Sequence, residues 1–152
     1  MTEAAPGGPR PPLFFLAALG IQAALHFLAP TCHLIPGRLV LIGVPFIVLG
    51  LVMIVTPARS FDRVQTAIDP FGSPSHFVTD GWFRISRNPM YLGMVSALLG
   101  AAILFGTLAP LLVVPLFMLL IDRRFIRHEE ATLNASFGAA YAEYRRRVRR
   151  WL

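Results

Sequence analysis

Two arginines, an asparagine and a proline run straight into a long apolar segment at Arg84-Ile85-Ser86-Arg87-Asn88-Pro89-Met90-Tyr91-Leu92-Gly93. Asn88 is a good N-cap, and Pro89 suits the first helical position because its missing N–H would be unpaired there anyway. A helix is therefore predicted to begin here. Its first turn presents unpaired N–H groups and the positive end of the helix dipole, and Arg84 and Arg87 add full positive charge. The chemistry that follows is anion binding at the start of an apolar helix. The same residues also fit a plainer role, with the arginines anchoring a membrane helix and Tyr91 in an interfacial aromatic belt.

A second polar cluster is Asp122-Arg123-Arg124-Phe125-Ile126-Arg127-His128-Glu129-Glu130. In one continuous α-helical phase Glu130 shares a face with Arg123 and Arg127, which predicts a solvated ion pair worth about 0 to 1 kcal/mol. Glu129 instead falls in the apolar stripe Ile126, Leu133, Phe137. A carboxylate aimed inward needs a partner, either an arginine from the 84–87 segment or the ammonium group of a ligand. No second His or Cys stands at ligand spacing from His128, so no metal site is expected.

The run Arg145-Arg146-Arg147-Val148-Arg149-Arg150 would suit phosphates, and the net charge of +6 points the same way. Its interleaving argues against nucleic acid. Tyr141, Tyr144, Val148 and Trp151 recur at helical spacing, so the prediction is an amphipathic helix lying on anionic lipid headgroups.

These clusters must be carried by membrane helices, because 55% hydrophobic residues in 152 and a mean hydropathy of +0.62 are far from a soluble domain. Residues 13–29 and 39–56 are each long enough to cross a hydrocarbon core of about 30 Å. Residues 90–121 are too long for one span and short for two, with Gly106, Thr107 and Pro110 marking a tight hairpin. The expectation is an all-α integral membrane bundle of about four transmembrane helices with a cytoplasmic amphipathic C-terminal helix. Residues 1–12 read as a flexible tail and 13–152 as a single domain. All basic residues are arginines, and in this arrangement every one but Arg38 falls on one side, which places both termini and the 57–89 connection in the cytoplasm. Cys32, the one cysteine, lies opposite. The 57–81 stretch, broken by Pro57, Pro70, Gly72, Pro74 and Gly81, reads as a partly ordered cap near the site or as a segment resting on headgroups.

The paired pattern Arg84-x-x-Arg87-Asn88-Pro89-x-Tyr91-x-Gly93 and Glu129-Glu130-x-x-Leu133-x-x-x-Phe137-Gly138-x-x-Tyr141-x-x-Tyr144-x-x-x-Val148-x-Arg150-Trp151 resembles the isoprenylcysteine carboxyl methyltransferase and phospholipid methyltransferase superfamily of membrane enzymes. The resemblance covers roughly residues 60–152. It implies S-adenosylmethionine as cofactor, closed over on the cytoplasmic side, and a lipophilic substrate arriving from the bilayer. It also implies catalytic roles for Arg87, Arg127 and Glu130, and cofactor binding by Asn88, Pro89, Tyr91, Gly93, Glu129 and Tyr141. Asn88 stands where the prenylcysteine enzymes usually have His. Ile126 stands where they carry an arginine three residues before the glutamate pair, leaving Arg124 or Arg127 as substitutes. With little chain beyond the bundle, the acceptor implied is small or lipid-like rather than a large protein, with an isoprenylcysteine-type carboxylate kept among the candidates. The alternatives are an NADPH-dependent membrane reductase of the sterol reductase type and a non-enzymatic scaffold, the latter supported by the small-residue face Gly93, Ala97, Gly100, Ala101.

Overall fold

The computed structural model describes residues 10–28, 32–63 and 78–152, apart from the side chains of 58–63. The elements are helical: α1 (Pro11–Leu28), α2 (Gly43–Arg63) after a 3-10 turn at Gly37–Ile42, α3 (Pro89–Phe105) after a 3-10 turn at Gly81–Arg84, α4 (Leu108–Ile121), a π-helical turn at Asp122–Ile126, and α5 (Arg127–Arg147). No strand occurs among the described residues.

The apolar block at 90–121 does fold as a hairpin. Gly106 ends α3 in the left-handed region at φ 69°, which glycine adopts without strain, and Thr107 precedes α4 in extended conformation. The hairpin tip is tied to the connection between α1 and α2: Leu34 N–H donates to Gly106 O at 2.8 Å, and Leu108 N–H donates to Cys32 O at 3.3 Å.

Small residues set the packing of α2 on α3. A Cβ on Gly50 would lie 2.5 Å from Gly93 O, and one on Gly100 would lie 2.5 Å from Gly43 O. The two helices therefore run antiparallel with their backbones in contact, and Gly93, Ala97 and Gly100 form the predicted close-packing face within the chain. Gln22 of α1 is fully buried and donates through Nε2 to Leu98 O and Pro110 O, each at 3.1 Å, joining three helices. The second of these bonds closes the triangle at α4.

The outward faces are apolar: Leu16, Ile21, Phe27, Val48, Leu112 and Leu116 are all exposed. Two helices, Pro11–Leu28 and Gly37–Pro57, are long and apolar enough to cross a membrane. With 17 residues in α3 and 14 in α4, the hairpin helices are shorter, about 25 and 21 Å at 1.5 Å per residue.

Two boundaries differ from those read in the sequence. Helix α1 begins at Pro11, so the last two residues of the expected tail are helical, and residues 1–9 lie outside the described ones. Helix α2 continues through Pro57 to Arg63 instead of stopping at residue 56. Proline removes one N–H, and the helix continues past it, with the Thr56 hydroxyl adding a 2.6 Å bond to Val52 O just before it. Most of the expected cap, residues 64–77, lies outside the described residues.

The start of α1, the start of α3 and the end of α4 meet at one end of the bundle, where the Phe14 and Phe125 rings make an edge contact at 5.4 Å. Both polar clusters are at this end. Helix α5 bends at Gly138 (φ 45°), and Val148–Leu152 return as an extended strap to the start of α3.

Candidate functional site

The π-helical turn brings Glu130 inward beside Glu129. Arg127 N–H donates to Asp122 O, five residues back, so the turn holds one residue more than an α-helix allows and rotates everything after it by about 100°. The site holds both glutamates as a result. Glu130 is 8% exposed and pairs with Arg87 at 3.3 Å and with Arg150 at 2.6 Å. This corrects the expectation of a surface ion pair with Arg123 and Arg127. Arg127 turns outward, its side chain 63% exposed, and pairs with Asp122 at 3.0 Å. Glu129 accepts a short hydrogen bond from the Tyr91 hydroxyl, a partner that the sequence reading did not name.

Asn88 occupies the cap position, but its side chain makes no cap bond. Instead Asn88 Nδ2 donates to Arg150 O at 3.0 Å, Ser86 Oγ donates to the same oxygen at 3.2 Å, and Arg87 N–H donates to Arg149 O at 3.0 Å. The strap is thereby fastened to the start of α3, and the first-turn N–H groups of that helix are left without a side-chain cap. Pro89 is buried at the first helical position, as predicted. Gly93, one helical turn beyond Pro89, faces α2 and serves helix packing. Arg84 lies on the exposed rim, paired with Asp80 at 2.9 Å.

Tyr141 is almost fully buried, Val148 is buried and Trp151 packs on the core. Tyr144 donates to Phe83 O at 2.7 Å. The apolar stripe of the C-terminal region thus faces the bundle and roofs the site, which corrects the reading of that stripe as a lipid-contacting face. A cleft of about 450 Å³ adjoins the roof, lined by residues including Asp80, Arg84, Glu143, Tyr144 and Arg147.

Arg150, to which the sequence reading gave no role, is the hub of the closed network. It reaches Glu130 with two nitrogens, at 3.1 and 2.6 Å, and Asp122 with the third, at 2.9 Å. The sequence marked it twice, as a position of the second motif and as the end of an arginine run, and neither distinguishes a solvated arginine from a buried one. Carboxylates on both sides hold its guanidinium above its ordinary pKa.

Two groups in this network have capacity left. Arg87 Nε and Nη1 are buried and meet no hydrogen-bond acceptor at bonding geometry among the described residues, although the cation lies close enough to Tyr141 to oppose the upward pKa shift that burial gives that phenol. Buried donors without acceptors are costly, about 1 to 3 kcal/mol each. Glu129 faces a phenol instead of a cation, and burial, helped by the neighbouring charge of Glu130, pushes its carboxyl up to about 7 against the pull of the Tyr91 hydrogen bond. A guanidinium with two buried donors to spare and a carboxylate that meets no cation among the described residues are complementary to the carboxylate and ammonium of an amino acid. The residues present therefore fit the amino-acid end of S-adenosylmethionine.

A small helical protein with apolar flanks and a roofed polar site at one end is the class that this fold and site define. The phospholipid methyltransferase family model matches residues 39–140, well over half of the chain, and the chain belongs to that family. It is 38% identical over 63 residues to an uncharacterised protein of Haemophilus influenzae, a match covering 41% of this chain and 100% of that one. It is 35% identical over 71 residues to the protein-S-isoprenylcysteine O-methyltransferase of Schizosaccharomyces pombe, covering 47% of this chain and 30% of the yeast protein. No solved structure matches.

Proposed function

We propose that the protein is a membrane methyltransferase that uses S-adenosylmethionine and acts on a small or lipid-like hydrophobic acceptor. The observation that carries this reading is the presence at one site of Arg87, with two buried donors unmatched among the described residues, and of Glu129, whose side chain meets a phenol and no cation among them. Family membership and the likeness to the yeast enzyme support methyl transfer over reduction. Arg87 and the first-turn N–H groups of α3 hold the ligand carboxylate. Glu129 accepts from its ammonium, and Tyr91 and Tyr141 supply aromatic walls. Glu130 and Arg150 hold Arg87 in place. S-adenosylmethionine, when bound, supplies a methyl group already activated on a sulfonium. The chain's own task is to align the acceptor and exclude water, which the roof formed by Tyr141, Val148 and Trp151 does.

In the membrane we place all four helices α1 to α4 as spans, with α5 and both termini in the cytoplasm, because the arginines gather at the site end and Arg38 alone stands at the other. The acceptor then enters sideways from the bilayer.

The test is label transfer. Membranes containing the protein are given S-adenosylmethionine carrying a tritiated methyl group. Label is expected in the organic extract, and Arg87→Gln and Glu129→Gln are expected to remove most of it. Extracts that stay unlabelled across lipid and prenyl-thiol acceptors, with folded protein present, contradict the proposal.

A further inference from the structure

Every carboxylate whose side chain is described at the site end already has a partner: Asp80 has Arg84, Asp122 has Arg127 and Arg150, Glu129 has Tyr91, and Glu130 has Arg87 and Arg150. Glu143 has Arg146 and Arg147. Arg10, Arg123, Arg124, Arg145 and Arg149 are exposed and form no ion pair among the described residues. Arg145 lies 6.0 Å above the Tyr141 ring, which fixes its position without neutralising it.

These arginines lie on elements that meet at the polar end of the bundle. The Phe14–Phe125 contact sets the start of α1, and with it Arg10, beside the turn that carries Arg123 and Arg124. The bond from Arg87 N–H to Arg149 O, and that from Arg150 to Asp122, hold the strap against the start of α3 and the end of α4, where the apolar flanks stop. Arg145 stands one helical turn before the strap. The result is a ring of exposed cations, without an ion pair among the described residues, around the polar end of the bundle, with Arg38 near the opposite end.

We propose that this ring is a docking surface for anionic phospholipid headgroups of the surrounding leaflet. The tyrosines, valine and tryptophan between the arginines face the protein, so the contact is electrostatic and superficial, without insertion of α5 into the lipid. A basic residue near an anionic surface contributes about fivefold in affinity. The contribution decays within the Debye length, about 10 Å at 0.1 M salt. The surface is independent of the methyltransferase reading, since none of these five arginines is among the groups that hold the cofactor.

The test uses the full-length protein purified in an uncharged detergent and titrated with mixed micelles of dioleoylphosphatidylglycerol or dioleoylphosphatidylcholine, with melting temperature as readout. The anionic lipid is expected to raise the melting temperature more than the zwitterionic one, and 0.5 M salt is expected to remove most of the difference. The variant Arg145→Gln with Arg149→Gln should need on the order of tenfold more anionic lipid for the same shift. The corresponding Lys variants should behave as wild type, and so should Arg38→Gln. Equal shifts with both lipids, a shift indifferent to salt, or one lost equally on Arg38→Gln would overturn the proposal. If the glutamine variants do not fold, the lipid and salt comparisons on wild type and the Lys variants still decide it.

Discussion

Glu129→Gln should make the free protein more stable and the complex weaker, an uncommon pairing of effects. The carboxyl is buried, its one direct partner among the described residues is a phenol, and it titrates at about 7 instead of near 4.5. A folded-state pKa above the unfolded value means that the native state binds the proton more tightly. This contribution is fully present below about pH 4.5 and is lost as pH rises through 7. A shift of that size corresponds to about 3 kcal/mol. Glutamine keeps the shape and can accept from Tyr91 but carries no charge, so above pH 7.5 the variant should melt higher than wild type, by up to that amount, and below pH 5 the two should converge. Ligand binding runs the other way. The ammonium needs the ionised carboxylate, and a group titrating near 7 is ionised in roughly one molecule in thirty at pH 5.5 and about three in four at pH 7.5. Wild-type affinity for S-adenosylhomocysteine should therefore rise about twenty-fivefold over that interval, with protons released on binding, while Glu129→Gln binds weakly at every pH. Thermal melts and calorimetry in two buffers of different ionisation enthalpy measure both effects. A flat wild-type profile, or a slope that survives in Glu129→Gln, refutes the assignment of Glu129 to the ammonium.

Glu130→Gln removes the shared partner of Arg87 and Arg150 and should destabilise by about 3 kcal/mol, since Arg87 is left in a largely buried site without its carboxylate while Arg150 keeps Asp122; urea titration measures it. Arg127→Gln breaks only an exposed pair and should cost under about 1 kcal/mol in the same titration. Gly50→Ala drives a methyl group into the Gly93 carbonyl and should cost about 1 to 3 kcal/mol by overpacking, read as a fall in melting temperature. Asn88→Ala removes one of the two side-chain bonds to Arg150 O and loosens the strap, and limited proteolysis should then cut after Arg149 or Arg150 faster than in wild type.

The helices were legible because their signals are local: the apolar runs, the Gly106-Thr107 break, and Asn88-Pro89 at the start of α3 all appear where the sequence places them. The meeting of the two polar clusters was legible through their pairing as motifs. Glu129 was legible as an inward carboxylate, but the burial of Glu130 beside it was not, because helical phase was carried through Phe125 as if the helix were regular, and nothing in Asp122–Ile126 announces the extra residue of a π-helical turn. Asn88 shows a related limit. Its type and position read as a cap, but its side chain is used on Arg150 O, a partner 62 residues away that only the fold supplies. Likewise, Tyr141 and Val148 have a periodicity that marks a buried face without saying whether lipid or protein buries it.

The central claim, that Arg87 and Glu129 hold the amino-acid end of S-adenosylmethionine, is tested most directly by calorimetric titration of the purified, folded protein with S-adenosylhomocysteine, with NADPH in parallel. The account predicts saturable binding of S-adenosylhomocysteine, stabilising the fold by about 2.7 kcal/mol at a hundredfold excess over Kd, abolished in Arg87→Gln and absent for NADPH. No heat and no thermal shift with S-adenosylhomocysteine, or binding of NADPH in its place, would contradict it.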